Sequence, residues 1–338
     1  MTLFCRKNKE MKKFYYLILG VLYITVLGSC TKDPVAQLVT KSETVSLGAG
    51  YSNDIFYRLS DGLITSVPRS NWDIAFSVSP REAAILTNGA SGVTLKVCPT
   101  PANWTWTTTI DTIGYGNRST LYNSDTTWLE GAFNMNATGH PNYGWGKYNE
   151  ITHNLAGVSL YIIKTRNGSY KKIWIESKLS VDQKYTFRYA DINGTNERIV
   201  TVQCAGKNKN FIYYSIDTNA EVDREPETSM WDIVFTKWID KSINYPVTGV
   251  LQNIGIGALK STDIDPTSKE MTSSGYLSKI STIGADWKTI NMTTYKYSID
   301  ETYVFLVKDL NKQIYRIKFK TFEGSSTGNL SFDISTVK

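Results

Sequence analysis

The chain of 338 residues carries 37 Lys and Arg against 31 Asp and Glu, and much of its basic excess stands in the first thirteen positions. Setting aside Arg6, Lys7, Lys9, Lys12 and Lys13 together with Glu10 brings the formal charge from +6 to about +2, which removes the case for a nucleic-acid-binding surface. A hydrophobic content of 41% suffices for a buried core, and 21 Tyr with 9 Trp tilt that core towards strands.

In chain order, the basic start is followed by an apolar run at 14–27. At roughly 14 residues this run is too short to span a bilayer, which takes about 20. It closes on Leu27-Gly28-Ser29-Cys30. Small residues directly before a cysteine resemble the bacterial lipobox, so residues 1–29 read as a lipoprotein signal peptide. Cys30 is then the lipidated residue, and 30–35 form a short polar tether. The expectation is an outer-membrane lipoprotein, on the cell surface or on the periplasmic face. Cys98 and Cys204 remain, either as a pair or as two separate buried thiols.

Two stretches of the chain match in the same order. Ile55-Phe56-Tyr57-Arg58-Leu59 precedes Asn71-Trp72-Asp73-Ile74-Ala75-Phe76, and Phe211-Ile212-Tyr213-Tyr214-Ser215-Ile216 precedes Met230-Trp231-Asp232-Ile233-Val234-Phe235. Further on, Leu160-Tyr161-Ile162-Ile163-Lys164 matches Val304-Phe305-Leu306-Val307-Lys308. Tyr170-Lys171-Lys172-Ile173-Trp174-Ile175 matches Ile314-Tyr315-Arg316-Ile317-Lys318-Phe319. Asn167-Gly168 between the first pair is a type I′ hairpin signal, with Asn311-Lys312 as its weaker copy. In Trp72-Asp73-Ile74-Ala75-Phe76, alternation sends Trp72, Ile74 and Phe76 one way and Asp73 and Ala75 the other. No stretch after the leader holds a capped helical period for more than two turns. The reading is all-β: two related antiparallel β domains in tandem with few helices, at 36–196 and 197–338, parted by the polar cluster 193–197. Residues 99–150 and 260–290 read as long hairpins or loops, where binding residues commonly sit.

Enzyme signatures are absent. There is no Gly-x-Ser-x-Gly, no His-Glu-x-x-His, no phosphate-binding Walker loop and no Cys-x-x-Cys, and two histidines leave little material for a nucleophile–base pair. Asp73 and Glu150 are carboxylates that nothing selects as a catalytic pair, and Asp73 with its copy Asp232 reads as a scaffold residue. A non-enzymatic surface module binding glycan or protein is one alternative, with Trp104, Trp106, Trp128 and Trp145 available for stacking.

The leader, the aromatic strand, Asn-Trp-Asp-Ile-Ala-Phe and the following Leu86-Thr87-Asn88-Gly89-Ala90-Ser91-Gly92 together resemble the HmuY-like haem-binding lipoproteins of Gram-negative anaerobes. So does the ending: Trp287, Tyr295-Lys296, the strands at 304–308 and 314–319, and Asn329-Leu330-Ser331-Phe332-Asp333-Ile334. The resemblance implies hand-like β domains whose projecting hairpins hold haem between two axial His or Met ligands, and delivery of haem, free or from haemoproteins, to a TonB-dependent outer-membrane receptor. It puts one haem-iron ligand shortly after Trp287, at Met292, and its partner on the preceding hairpin, at Met271. In the first half the equivalent stretch after Trp145 offers Tyr148 or Glu150, with His140, His153 and Met135 close by. His140 and His153 are the cofactor-binding candidates there.

Overall fold

A computed structural model describes residues 39–262 and 275–337. The leader, Cys30 and Met271 lie outside them. Among the described residues the chain is all-β, and its helices are six 3-10 turns of three residues each. No helix there is long and apolar enough to cross a membrane.

The first eleven strands are β1 Thr40–Ser46, β2 Asn53–Tyr57, β3 Ile64–Pro68, β4 Ile74–Ser77, β5 Ile85–Thr87, β6 Thr94–Val97, β7 Gly146–Tyr148, β8 Leu155–Gly157, β9 Leu160–Lys164, β10 Tyr170–Leu179 and β11 Lys184–Asp191. The other eleven are β12 Arg198–Gln203, β13 Phe211–Ser215, β14 Ala220–Val222, β15 Ile233–Asp240, β16 Tyr245–Gln252, β17 Gly257–Ser261, β18 Lys288–Ile290, β19 Tyr297–Ile299, β20 Val304–Lys308, β21 Ile314–Phe322 and β22 Asn329–Val337.

Four sheets of four or more strands organise twenty of these strands, and β18 and β19 pair as a separate two-stranded ribbon. The sheet β12-β11-β10-β8-β7, with β9 and β6 attached through β10, covers the four-stranded sheet β14-β13-β4-β5. The sheet β1-β22-β21-β20-β17 covers the four-stranded sheet β16-β15-β2-β3. Each pair encloses an apolar core. Ile74, Phe76, Trp145, Ile173, Phe187 and Tyr214 are buried together in one; Ile55, Tyr57, Phe235, Trp287, Phe305 and Phe332 are buried together in the other.

The chain crosses between these cores. Ile74 and Phe76 of β4 face Tyr214 and Ile212 of β13, whereas Ile233 and Phe235 of β15 face Tyr57 and Ile55 of β2. β1 completes the edge beyond β22, with Glu43 opposite Phe332. The opening strands of each half thus belong to the core built by the other half. Limits at 36–196 and 197–338 therefore do not separate the two cores, because β1, β2 and β3 are packed with strands that follow residue 231.

The Trp-Asp-Ile motif departs from simple alternation. Ile74 and Phe76 enter the core, but Trp72 packs with Ala75 on the opposite face of the sheet. The strand begins only at Ile74, and the preceding Asp73 is fully buried, accepting hydrogen bonds from the Ile216 backbone N–H (2.7 Å) and Arg166 Nε (3.0 Å). This leaves Trp72 outside the pleat and free to cover the other side. The copy behaves alike: Asp232 accepts from the Leu59 N–H at 2.7 Å, and Trp231 packs with Val234 away from Ile233 and Phe235. Asn88 and Asn253 repeat one another too, donating to the carbonyls of Trp72 and Trp231 at 2.9 and 2.8 Å.

The β9–β10 hairpin forms as expected, but not on a type I′ turn. Gly168 alone is left-handed (φ 90°), its N–H bonds the Thr165 carbonyl, and the Thr165 N–H bonds Ser169. This is a type I turn closed by one left-handed residue. Between β20 and β21 the same bonds join Asp309 to Lys312 and Gln313, and Lys312 takes the left-handed place at φ 68°. Cys98 and Cys204 are both buried and both free thiols.

Candidate functional site

The residues that the sequence singles out fall on two short hairpins that are built alike. In β7–β8, Lys147 faces Ala156 and Tyr148 faces Leu155. The turn is organised by Asn149, whose Oδ1 accepts from the N–H groups of Ile151 and Thr152 at 2.9 Å, and whose carbonyl accepts from the His153 N–H at 2.8 Å. His153 closes the turn in the left-handed region at φ 58°. In β18–β19, Asn291 Oδ1 accepts from Thr293 and Thr294 at 2.9 and 3.0 Å, its carbonyl accepts from the Tyr295 N–H at 2.8 Å, and Tyr295 sits at φ 54°. An Asn side chain capping the two following N–H groups is the reason this turn forms twice.

Position by position, Met292 therefore corresponds to Glu150, and Tyr295 to His153. Met292 is 70% exposed at the hairpin tip. A thioether there contributes nothing to a core, which is where methionine ordinarily packs. Tyr295 beside it is exposed as well. Met271 lies outside the described residues, so no distance relates the two sulfur atoms.

Beneath the second hairpin the sheet is closely packed. Trp287 is fully buried and stacked on Phe319, with ring centroids 3.9 Å apart. Lys288 lies over the Trp287 ring at 4.3 Å and donates to the carbonyls of Thr248 and Ala285. Burial pulls its ammonium down to about 7, against the smaller opposing field of Asp286. Trp145 is fully buried in the equivalent place of the first core. It is a packing residue, with its indole N–H given to the Ala83 carbonyl at 2.9 Å, and is not available for stacking on a glycan.

The first hairpin gathers the chain's two histidines around one ring. His153 Nδ1 lies 2.5 Å from the Tyr148 hydroxyl, and the His140 ring lies 5.1 Å from the Tyr148 ring. His140 Nε2 also approaches Glu150 Oε1 at 3.7 Å, with both side chains largely exposed. Sequence proximity of His140 and His153 thus becomes a surface cluster with Tyr143 and Tyr148. Among the described residues no group of three or more His, Cys, Asp or Glu is placed to hold a metal ion. Met135 is spent otherwise: its sulfur accepts from the Tyr122 N–H at 3.3 Å.

The remaining tryptophans are half-buried. Trp104 packs edge-on against Trp174 at 5.4 Å, and Trp106 donates to Glu197 at 2.8 Å while Lys172 and Arg188 lie over its ring. Trp128 donates to the Gln252 carbonyl at 2.8 Å. Asp73 is committed to scaffold hydrogen bonds, which removes it from any catalytic pair. What sequence reading missed is where Trp72 and Trp231 go. The signal was their recurrence one residue ahead of a buried aspartate.

No family model matches the chain, and no curated protein matches it. Among solved structures, apo PinO from Porphyromonas gingivitis is similar at 11% identity and TM-score 0.31, over 88% of this chain and 97% of that one. The Tannerella forsythia apo HmuY analog is similar at 9% identity and TM-score 0.33, over 90% of this chain and 100% of that one. At such identities and TM-scores neither likeness assigns this chain a ligand or an activity.

Proposed function

We propose that the protein is an exported, lipid-tethered haem carrier of the HmuY-like kind, without catalytic activity. It takes up haem at the tip of the β18–β19 hairpin and delivers it to an outer-membrane receptor. The observation that supports this reading is Met292, a soft axial donor held exposed at the tip of a capped hairpin where it has no packing role. Met271 is the proposed partner across the haem plane. The exposed Tyr295 ring is suited to covering part of a porphyrin face. Cys30 is the proposed lipid anchor, on the cell surface or the periplasmic face. The matched strands, paired aspartates and twin hairpin turns support a duplicated unit whose opening strands were exchanged between the copies.

His140 and His153 are a second proposed haem-binding pair. Their gathering around Tyr148 on the equivalent hairpin favours them, although the position matching Met292 carries Glu150. The test is a haemin titration of the purified protein, ferric and ferrous. A shifted, sharpened Soret band is expected, reduced in Met292→Ala and abolished when Met271→Ala is added. Absence of any spectral change in both oxidation states would contradict the reading and favour a surface module for glycan or protein.

A further inference from the structure

The two four-stranded sheets turn one face each to their cores and the other face to a shared cavity. Its walls are residues of β2, β15 and β16 on one side and of β5, β13 and Trp72 on the other. Trp72 meets Tyr213 edge-on at 4.9 Å, and Trp231 meets Phe56 in the same way at 4.9 Å, so the repeated motif sets one indole in each wall. Trp128 packs against both clusters, and Trp238 adds a fourth indole. The space open to the centres of water-sized molecules is about 100 Å³, several times what one water requires.

The polar groups of this cavity are unevenly committed. Asp54 is held by Arg224 at 2.5 Å and by Thr236 at 2.7 Å. Glu225 accepts from the Asn210 N–H at 2.9 Å and from the Tyr213 hydroxyl at 2.8 Å. Lys237, by contrast, is half-buried in the wall with no hydrogen bond or ion pair among the described residues. The indole N–H groups of Trp72 and Trp231, and Arg224 Nε, are also buried without an acceptor. These four groups are donors, and two of them belong to cations: Arg224, already paired with Asp54, and Lys237, which has no such partner among the described residues.

We propose that this chamber binds a small aromatic anion, with its ring among the indoles and its carboxylate on Lys237. Haem fits poorly, since no His, Met or Cys lines the chamber. A flat apolar body with one acceptor-only anionic group matches what the walls leave open. The site is separate from the hairpin tips and does not rest on the haem reading.

The test is a titration of the full-length protein with 1-naphthoate, followed by tryptophan fluorescence and calorimetry, beside neutral 1-naphthamide. The expected result is saturable binding of one naphthoate per chain. Affinity should fall at least about tenfold for the amide and for Lys237→Gln, and be kept by Lys237→Arg, with near-ultraviolet circular dichroism confirming that both variants are folded. Met292→Ala should leave naphthoate binding unchanged. Absence of saturation up to about 1 mM, or equal affinity in the wild type and Lys237→Gln, would overturn the proposal.

Discussion

Asp73 and Ile216 are joined by a 2.7 Å hydrogen bond from the backbone N–H of Ile216 to a fully buried carboxylate, across two stretches of chain on opposite sides of the repeat boundary. Arg166 binds the same carboxylate at 3.0 Å. Asp73→Ala therefore leaves the buried Ile216 N–H and Arg166 Nε without an acceptor, while Arg166 keeps Asp217 at 3.3 Å and Ser215 Oγ at 3.2 Å, and about 1–3 kcal/mol of stability should be lost. Asp232→Asn keeps an oxygen for the Leu59 N–H while removing a charge that burial disfavours, and should cost less than about 1 kcal/mol. Urea denaturation of the two variants beside the wild type measures the contrast.

The crossing of strands has a mechanical consequence. Cleavage of the peptide link at 192–197, with no residue removed, should leave the two fragments associated and folded under native conditions. β2 remains paired with β15, and β4 with β13. Size-exclusion chromatography of a chain nicked at an inserted protease site reads this directly. Two separately eluting folded fragments would contradict the exchange.

Lys312 occupies the left-handed corner that Gly168 fills in the other hairpin. A side chain there is strained, and glycine is not. Lys312→Gly should raise stability by about 0.5–1 kcal/mol, whereas Gly168→Lys should lower it by a similar amount. Thermal unfolding of both variants tests the pair.

Four buried groups shape the pH dependence. Burial lifts Glu225 to about 7 and Asp232 to about 6, so the folded chain holds protons that the unfolded chain releases nearer 4.5 and 3.8. Stability from these two groups is present at acid pH and is lost as pH rises towards 7. Burial lowers Lys288 to about 7 and Lys178 to about 8 from 10.5, so the folded chain releases these protons first and stability recovers as pH rises further. Chemical denaturation between pH 5 and 10 should therefore show a minimum near pH 7–8, of order 1–3 kcal/mol deep. Glu225→Gln should flatten its acid side, and an unchanged slope in that variant would contradict the assignment.

The strand content and the matched blocks were legible because alternation and β-branched or aromatic runs are local signals. Ile74, Phe76, Ile233 and Phe235 point into cores as their pattern requires. The exchange was not legible, since nothing local in 53–57 tells β2 to pair with Ile233 instead of Ile74. Trp72 misleads because a buried aspartate resets the backbone just before the strand. At the candidate site, the turn around Asn149 and Asn291 was recoverable from the Asn spacing. The gathering of His140 and His153 on Tyr148 depends on how the loop after Phe133 folds back, which no local rule supplies.

The haem reading turns on the sulfur at the hairpin tip. Iron-edge X-ray absorption of the haem-loaded protein should detect a sulfur scatterer in the first coordination shell, and Met292→Ala should remove or weaken it. A first shell of nitrogen and oxygen alone in the wild type, unaltered by that substitution, would contradict the account.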